Sequence, residues 1–383
     1  MNKSDRFGSP LSPAIDLSSA QFFSSSDSLA NVHEDKFQQH RYGRDSGEGA
    51  LHLEKELENW YPGFKALAFR SGMAALETLF QMSWTKYEQI SIQSEIYRKT
   101  EALVSGLQNI GARKVSRPKM NPETTTRDHD IQEAQFVFLE IPSNPHLRLL
   151  ELDARFLSTN KVKPFIAIDA TMSGFGNLKP EFLESVDTIC FSLTKFIGGH
   201  NDVIGGVLFV KNEIYEELWM LRSRMGNIIS PFDAFLSLRS LKTLNLRMSA
   251  HLDTSRFVLD FIQSAFEENK IRKFFYPGLG ENADQKDIVN RILFNGGSVL
   301  SFIPDASREV LATRLEKLRT VKMAPSFGST DSLIEICSLM TRPNATTEEL
   351  RKSGLEPNLI RLSVGIDRPQ QVIDDLKSVL FPS

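Results

Sequence analysis

A lysine and an aspartate, each closing an apolar run, are the two groups in this chain whose placement asks for chemistry. Residues 187–194 are an apolar, β-branched run that predicts a buried strand. Lys195 stands where the run stops, with Gly198-Gly199 and Gly205-Gly206 loosening the backbone beyond it. A lysine held at the end of a core strand loses hydration and with it some basicity, which is what an imine-forming amine requires. Taken alone, Lys195 also fits a solvated lysine that merely ends a strand. Ser192-Leu193-Thr194-Lys195 further matches the S-x-x-K pattern of serine acyl-enzymes, but the companion S-D-N and K-T-G elements are absent, Lys242-Thr243 being followed by Leu244. Ser192 also lies on a strand, where an acylating serine of that type would open a helix.

The carboxylate upstream decides between these readings. Residues 164–169 predict another buried strand, ending at Asp169 and followed by Ala170-Thr171. In a parallel α/β sheet the strand ends on one edge collect the functional groups, so Asp169 and Lys195 can converge on one ligand. Pyridoxal phosphate (PLP) calls for both, because its aldehyde forms an imine with a lysine and its ring nitrogen needs a carboxylate to stay protonated. The pattern Ser192-x-Thr194-Lys195-x-x-x-Gly199-His200-x-Asp202-x-x-Gly205-Gly206 resembles the lysine signature of the cystathionine γ-synthase-like, or Cys/Met metabolism, family of PLP-dependent enzymes. The likeness runs from about Pro10 to the C-terminus.

The elements that must position these groups follow in order. Residues 1–46 are rich in Ser, Asp, Gln and Pro and cannot build a core of their own, so they predict an arm that packs on something else. The resemblance implies that this arm lies on a neighbouring subunit and that Tyr42 and Arg44 bind the cofactor phosphate in the partner's site, a role that suits an arginine fork. The spacing of Leu51, Leu53, Leu57 and Trp60 predicts a helix whose Glu54 and Glu58 form a solvated face. Residues 65–69 predict a short strand that turns into a helix at Ser71-Gly72-Met73, where free helix-terminal N–H groups can hold a phosphate. The family's Ser-Gly-Met-Ala-Ala matches there.

Further carry-overs rest on the resemblance alone. Tyr97 corresponds to the tyrosine that stacks on the pyridine ring and assists the leaving group. Asn144, in a Glu-x-Pro-Ser-Asn-Pro stretch, corresponds to the residue at the ring edge, and Thr171, Ser192 and Thr194 join Asp169 and Lys195 around the cofactor. Arg361 lies alone among apolar neighbours in a predicted strand, 359–364, and needs an anion: an internal acid, or a substrate α-carboxylate held bidentately. The resemblance implies the carboxylate, with Ser326 in support.

The chain also departs from the family. Asp45 to Gly49 replace an Asn-Pro-Thr segment, Arg98 and Lys99 replace two glycines beside Tyr97, Ala102 stands where readers of a distal carboxylate carry arginine, and Glu281 to Asp284 replace a His-Pro stretch.

With 383 residues, 41% of them hydrophobic, and a net charge of −3, the chain predicts two domains and offers no basic stripe for nucleic acid. Cys190 and Cys337 are the only cysteines, which excludes a disulfide framework or a thiolate zinc site and points to a reducing compartment. No signal peptide and no run of about 20 apolar residues is present, so the expectation is a cytoplasmic protein with no membrane partner.

The expected architecture is α/β, of the aspartate-aminotransferase-like (fold type I) PLP-dependent transferase kind. A large domain with a mostly parallel sheet spans 47–245 and a smaller C-terminal α/β domain spans 246–383. The expected assembly is a homodimer sharing active sites, and a homotetramer by family habit. The expected reaction is elimination or replacement at the side chain of a sulfur amino acid or O-acylhomoserine, with PLP carried on Lys195. The alternatives are a PLP-dependent reaction on a non-standard amino acid and a non-catalytic scaffold of the same fold.

Overall fold

The computed structural model describes residues 11–31, 42–111, 113–118, 133–150 and 163–382. Much of the expected arm, residues 1–10 and 32–41, lies outside these. Among the described residues, two sheets organise the fold. The first has seven strands: β1 (Lys65–Phe69), β2 (Gln89–Ile92), β3 (Lys114–Ser116), β4 (Phe136–Glu140), β5 (Phe165–Asp169), β6 (Thr188–Ser192) and β7 (Gly206–Val210). Their spatial order is β1-β7-β6-β5-β4-β2-β3. Only β7 runs against the rest, being antiparallel to both its neighbours.

Strands buried on both faces carry apolar residues at every position, and the alternation of side chains then sorts them into two cores. In β4, Val137 and Leu139 join the core under the helices Glu48–Glu58 and Pro231–Leu241, while Phe136 and Phe138 join the core under the helix Gly72–Lys86. The same split divides Ala66 and Ala68 from Leu67 and Phe69 in β1.

Glu54 corrects the expectation of a solvated face, for it is buried at 4% exposure. β1 is an edge strand, and its outer N–H groups need acceptors. Glu54 accepts from the Ala68 N–H at 2.8 Å and Glu58 from the Ala66 N–H at 3.2 Å. Four residues along a helix rise about 6 Å and two along a strand about 6.6 Å, so the i,i+4 acids match the i,i+2 amides. The fully buried Arg222 bonds both Glu54 and the Ala68 carbonyl, closing that edge.

The second sheet has six strands in the order β11-β12-β13-β10-β8-β9: β8 (Ile271–Tyr276), β9 (Leu279–Gly280), β10 (Val299–Pro304), β11 (Lys322–Met323), β12 (Leu333–Ile336) and β13 (Ile360–Ser363). The helices Leu244–Glu267 and Pro369–Leu380 pack on it through Val258, Ile262, Val372, Leu376 and Val379. Among the described residues no helix is long and apolar enough to cross a membrane.

Candidate active site

A cavity of about 210 Å³ opens at the carboxyl ends of β4, β5 and β6. Ser71, Gly72, Met73, Tyr97, Asn144, Asp169, Thr171, Ser192, Thr194 and Lys195 line it, with Glu140 and Phe327. A larger crevice, about 930 Å³, lies between the Asp16–Phe23 segment and the helix Glu48–Glu58, but no group predicted to do chemistry faces it.

At one end of the cavity the helix Gly72–Lys86 begins. Ser71 caps it, its Oγ accepting from the Ala74 N–H at 3.0 Å while its carbonyl takes the Ala75 N–H. The N–H groups of Gly72 and Met73, with no partner among the described residues, are left to the cavity. A Cβ on Gly206 would lie 2.4 Å from the Ser71 carbonyl oxygen, so only glycine lets β7 approach this helix start. Helix polarity and free amides suit an anion here.

On the floor, Asp169 Oδ1 accepts from the Thr171 N–H at 2.9 Å and the Thr171 hydroxyl at 2.6 Å. Burial pushes the Asp169 carboxyl up, and these two bonds hold it back. No cation pairs with Asp169 among the described residues. Glu140 faces Asp169 across the β4–β5 register, and its Oε2 accepts the Tyr97 N–H at 2.6 Å. Burial first, then the Asp169 charge, raises Glu140 well above the usual carboxylate range.

Lys195 follows β6 in a wide turn, Leu193–Ile197. Its Nζ donates to Ser326 Oγ at 2.7 Å and sits 4.7 Å from the centre of the Phe327 ring. Burial, assisted by the positive Arg361 and opposed by Glu335, brings Lys195 down to about 8. Arg361 on β13 donates to Asn144 Oδ1 at 3.0 Å and to the Ser326 carbonyl at 3.1 Å. Both anions considered for Arg361 bear on the outcome, because Glu335, its register partner on β12, already pairs with it at 2.9 Å. A bound carboxylate would share or displace that acid.

Tyr97 and Asn144 line the same cavity as Lys195 and Asp169. Tyr42 and Arg44 do not line this cavity; Arg44 stacks on Tyr42 at 5.4 Å and lies 3.8 Å from Asp45. Arg98 and Lys99 are exposed. The segment Glu281 to Asp284 has a structural partner: Arg148 bonds the Glu281 carbonyl, Asn282 and Asp284, and Asn282 bonds the His146 and Leu147 carbonyls.

Sequence reasoning missed Phe327, Glu335 and the contact of Glu140 with Tyr97. A signal for Glu335 exists, since a lone acid in the apolar Leu333–Ile336 strand is the natural counterpart of a lone arginine in another.

The site thus offers an anion seat, a half-buried carboxylate with no cation among the described residues, and an amine of lowered basicity. A sequence model described as Cys/Met metabolism PLP-dependent enzyme matches residues 1–381. The chain is 31% identical over 320 residues to the cystathionine gamma-lyase of Dictyostelium discoideum, spanning 82% of this chain and 80% of that protein. It is 29% identical over 333 residues to the L-methionine gamma-lyase of Fusobacterium nucleatum subsp. nucleatum, spanning 86% and 82%. Among solved structures, a cystathione gamma lyase (CalE6) from Micromonospora echinospora superposes with a TM-score of 0.84 at 26% identity, covering 99% of this chain and 96% of that one. The cystathionine gamma synthase of Xanthomonas oryzae pv. oryzae, in complex with cystathionine, gives 0.83 at 25% identity, covering 96% and 92%.

Proposed function

Because this chain belongs to the Cys/Met metabolism family of PLP-dependent enzymes, we propose that it catalyses elimination or replacement at the side chain of a sulfur amino acid or an O-acylhomoserine. The observation that carries this reading is that Lys195 and Asp169 line one cavity with Asn144, and that Arg361 bonds Asn144 and the same Ser326 that holds the Lys195 amine.

The residues present fit the cofactor. The Gly72 and Met73 amides, with Ser71, Ser192 and Thr194 beside them, would hold its phosphate. Asp169, half-buried and without a cation among the described residues, would hold the ring nitrogen, and the two bonds from Thr171 favour its charged form. Tyr97 would cover the ring face and Asn144 its edge. When bound, PLP supplies an electron sink conjugated to the α-carbon of the amino acid.

The chain's own groups supply the rest. Arg361 binds the substrate α-carboxylate as a fork and so aims the α-C–H bond at Lys195. With Lys195 near 8, about one amine in ten is free base at pH 7, and its Nζ takes the α-proton. In γ chemistry a second proton leaves Cβ, and the Tyr97 hydroxyl protonates the departing sulfur or oxygen on Cγ. Glu140 fixes the Tyr97 backbone for that task.

The same reading takes residues 47–245 and 246–383 as large and small domains and 1–46 as an arm serving a neighbour. The working form is a cytoplasmic homodimer that shares its sites, and a homotetramer by family habit. Its support is that Tyr42 and Arg44 are outward and exposed rather than at their own cavity.

Purified protein should absorb as a PLP imine near neutral pH and release thiol, ammonia or a 2-oxo acid from one of cystathionine, methionine or an O-acylhomoserine. A loaded protein inert towards all of these would overturn the assignment. A second reading, a substrate with an anionic distal end, rests on the exposed Arg98 and Lys99. Exposed charges contribute on the order of 1 kcal/mol, so Arg98→Gly/Lys99→Gly should cut kcat/KM for such a substrate about fivefold, and less in salt. An unchanged ratio between substrates with and without the distal carboxylate removes that reading.

A further inference from the structure

Arg247, in the helix Leu244–Glu267, is a buried cation that the proposed chemistry does not use. Among the described residues it has no carboxylate partner. Its guanidinium instead donates to four neutral oxygens: from Nη1 to the Phe196 carbonyl at 2.7 Å, from Nη2 to the carbonyls of Ile197 and Ser240, each at 3.0 Å, and from Nε to Thr243 Oγ1 at 3.3 Å. Burial lowers Arg247 only to about 10, so it stays charged at neutral pH. A buried charge with no counter-ion is costly, and an apolar side chain would fill the same volume at less expense.

The turn it grips is the one that delivers Lys195. Within that turn Lys195 itself leaves helical geometry, at φ −88° and ψ −129°. The Gly198 N–H bonds the Leu193 carbonyl and the Gly199 N–H the Lys195 carbonyl, both at 2.7 Å. The next two carbonyls, of Phe196 and Ile197, are those Arg247 takes. Gly199 has φ +69°, and a Cβ there would lie 2.1 Å from Arg247 Nη1. The guanidinium therefore occupies the seat of the side chain that residue 199 lacks. From the other side the Gly199 carbonyl accepts the Thr330 N–H at 2.8 Å, which ties the turn to the strand-connecting segment that carries Ser326.

We propose that Arg247 is a positioning residue for Lys195: its fork clamps the two carbonyls that follow the lysine and thereby fixes the direction in which the amine enters the cavity. This rests on Lys195 being the working amine. A planar fork can bridge three carbonyls and a hydroxyl at once, which a lysine ammonium at the same point cannot do in that geometry. Without the clamp, two buried carbonyls lose their donors and the turn is free to relax outward, carrying Lys195 away from Ser326 and towards water.

The test uses the full-length protein freed of PLP and the variant Arg247→Lys. Arylation by fluorodinitrobenzene, followed across pH with peptide mapping, reads the proton affinity of the Lys195 amine without any contribution from the cofactor. In the native protein the midpoint should lie near 8. In folded Arg247→Lys it should rise by at least about one unit towards the ordinary lysine value. In the reloaded enzyme kcat should fall about tenfold or more, with KM within about threefold. A purely architectural arginine would lower thermal stability and leave the midpoint where it was; that result, in protein of native circular dichroism, overturns the proposal. If Arg247→Lys does not fold, Thr243→Val, which removes the bond to Nε together with the hydroxyl's own bond to the Ser240 carbonyl, decides by the same midpoint: an upward shift supports the clamp and no shift overturns it. Failure of the PLP assignment would appear separately, as reductive labelling on a lysine other than Lys195.

Discussion

Lys195 and Ser326, 131 residues apart in the chain, meet at 2.7 Å, the ammonium donating to the hydroxyl. The contact joins the turn after a strand of the first sheet to a segment between strands of the second. It gives the amine a neutral partner in a place where burial and Arg361 both press for loss of its proton. Ser326→Ala should therefore leave the fold intact and slow turnover about fivefold to tenfold, the value of one hydrogen bond of about 1 to 1.5 kcal/mol. Steady-state kcat in matched holoenzymes measures it; a change below twofold means the hydroxyl does not guide the amine.

Lys195 also has a stability signature. Its folded value, about 8, lies below the unfolded lysine value, so between the two the unfolded chain binds more protons and stability rises with pH. Below pH 8 the folded protein bears the full cost of a partly desolvated ammonium. Lys195→Met should thus raise the Tm of the cofactor-free protein at pH 7, by a gain on the order of 2 kcal/mol that fades as pH climbs from 8 towards 10.5. Thermal melts at pH 7 and pH 10 test the sign; a gain that grows with pH would contradict it.

For Asp169→Asn, the cofactor should still bind, because the proposed phosphate seat at Gly72 and Met73 is untouched. Exchange of the substrate α-proton should fall by at least about a hundredfold, since the ring nitrogen loses the charge that keeps it protonated. Proton exchange into deuterated water, followed by NMR, is the measurement, and undiminished exchange would count against the role given to Asp169.

Tyr42 and Arg44 lead to a test of assembly. Inactive Lys195→Ala subunits mixed in equal amount with inactive Arg44→Ala subunits should regain up to about a quarter of native activity over the whole mixture if each arm completes its neighbour's phosphate seat. Verified mixed dimers with no recovery would mean that each subunit's site is self-contained.

Much of this protein can be read from its sequence because strand ends announce themselves. An apolar β-branched run followed by a single charged residue identifies Asp169, Lys195 and, as a lone charge within such a run, Arg361. A small-residue turn before a helical pattern identifies Ser71 to Met73. These are local features, and local propensity with burial accounts for them. What faces what is a different matter, and only the tertiary structure decided it. Glu54 reads as a solvated acid until the helix that carries it is laid along the edge strand β1, where the unpaired Ala68 amide and the buried Arg222 claim it. Glu335 acquires meaning only through its register with Arg361, and Arg247 only through the space that Gly199 leaves. In each case the chemistry of one residue is set by a partner distant in sequence, because a buried polar group takes its charge and orientation from whatever the fold brings within hydrogen-bond reach.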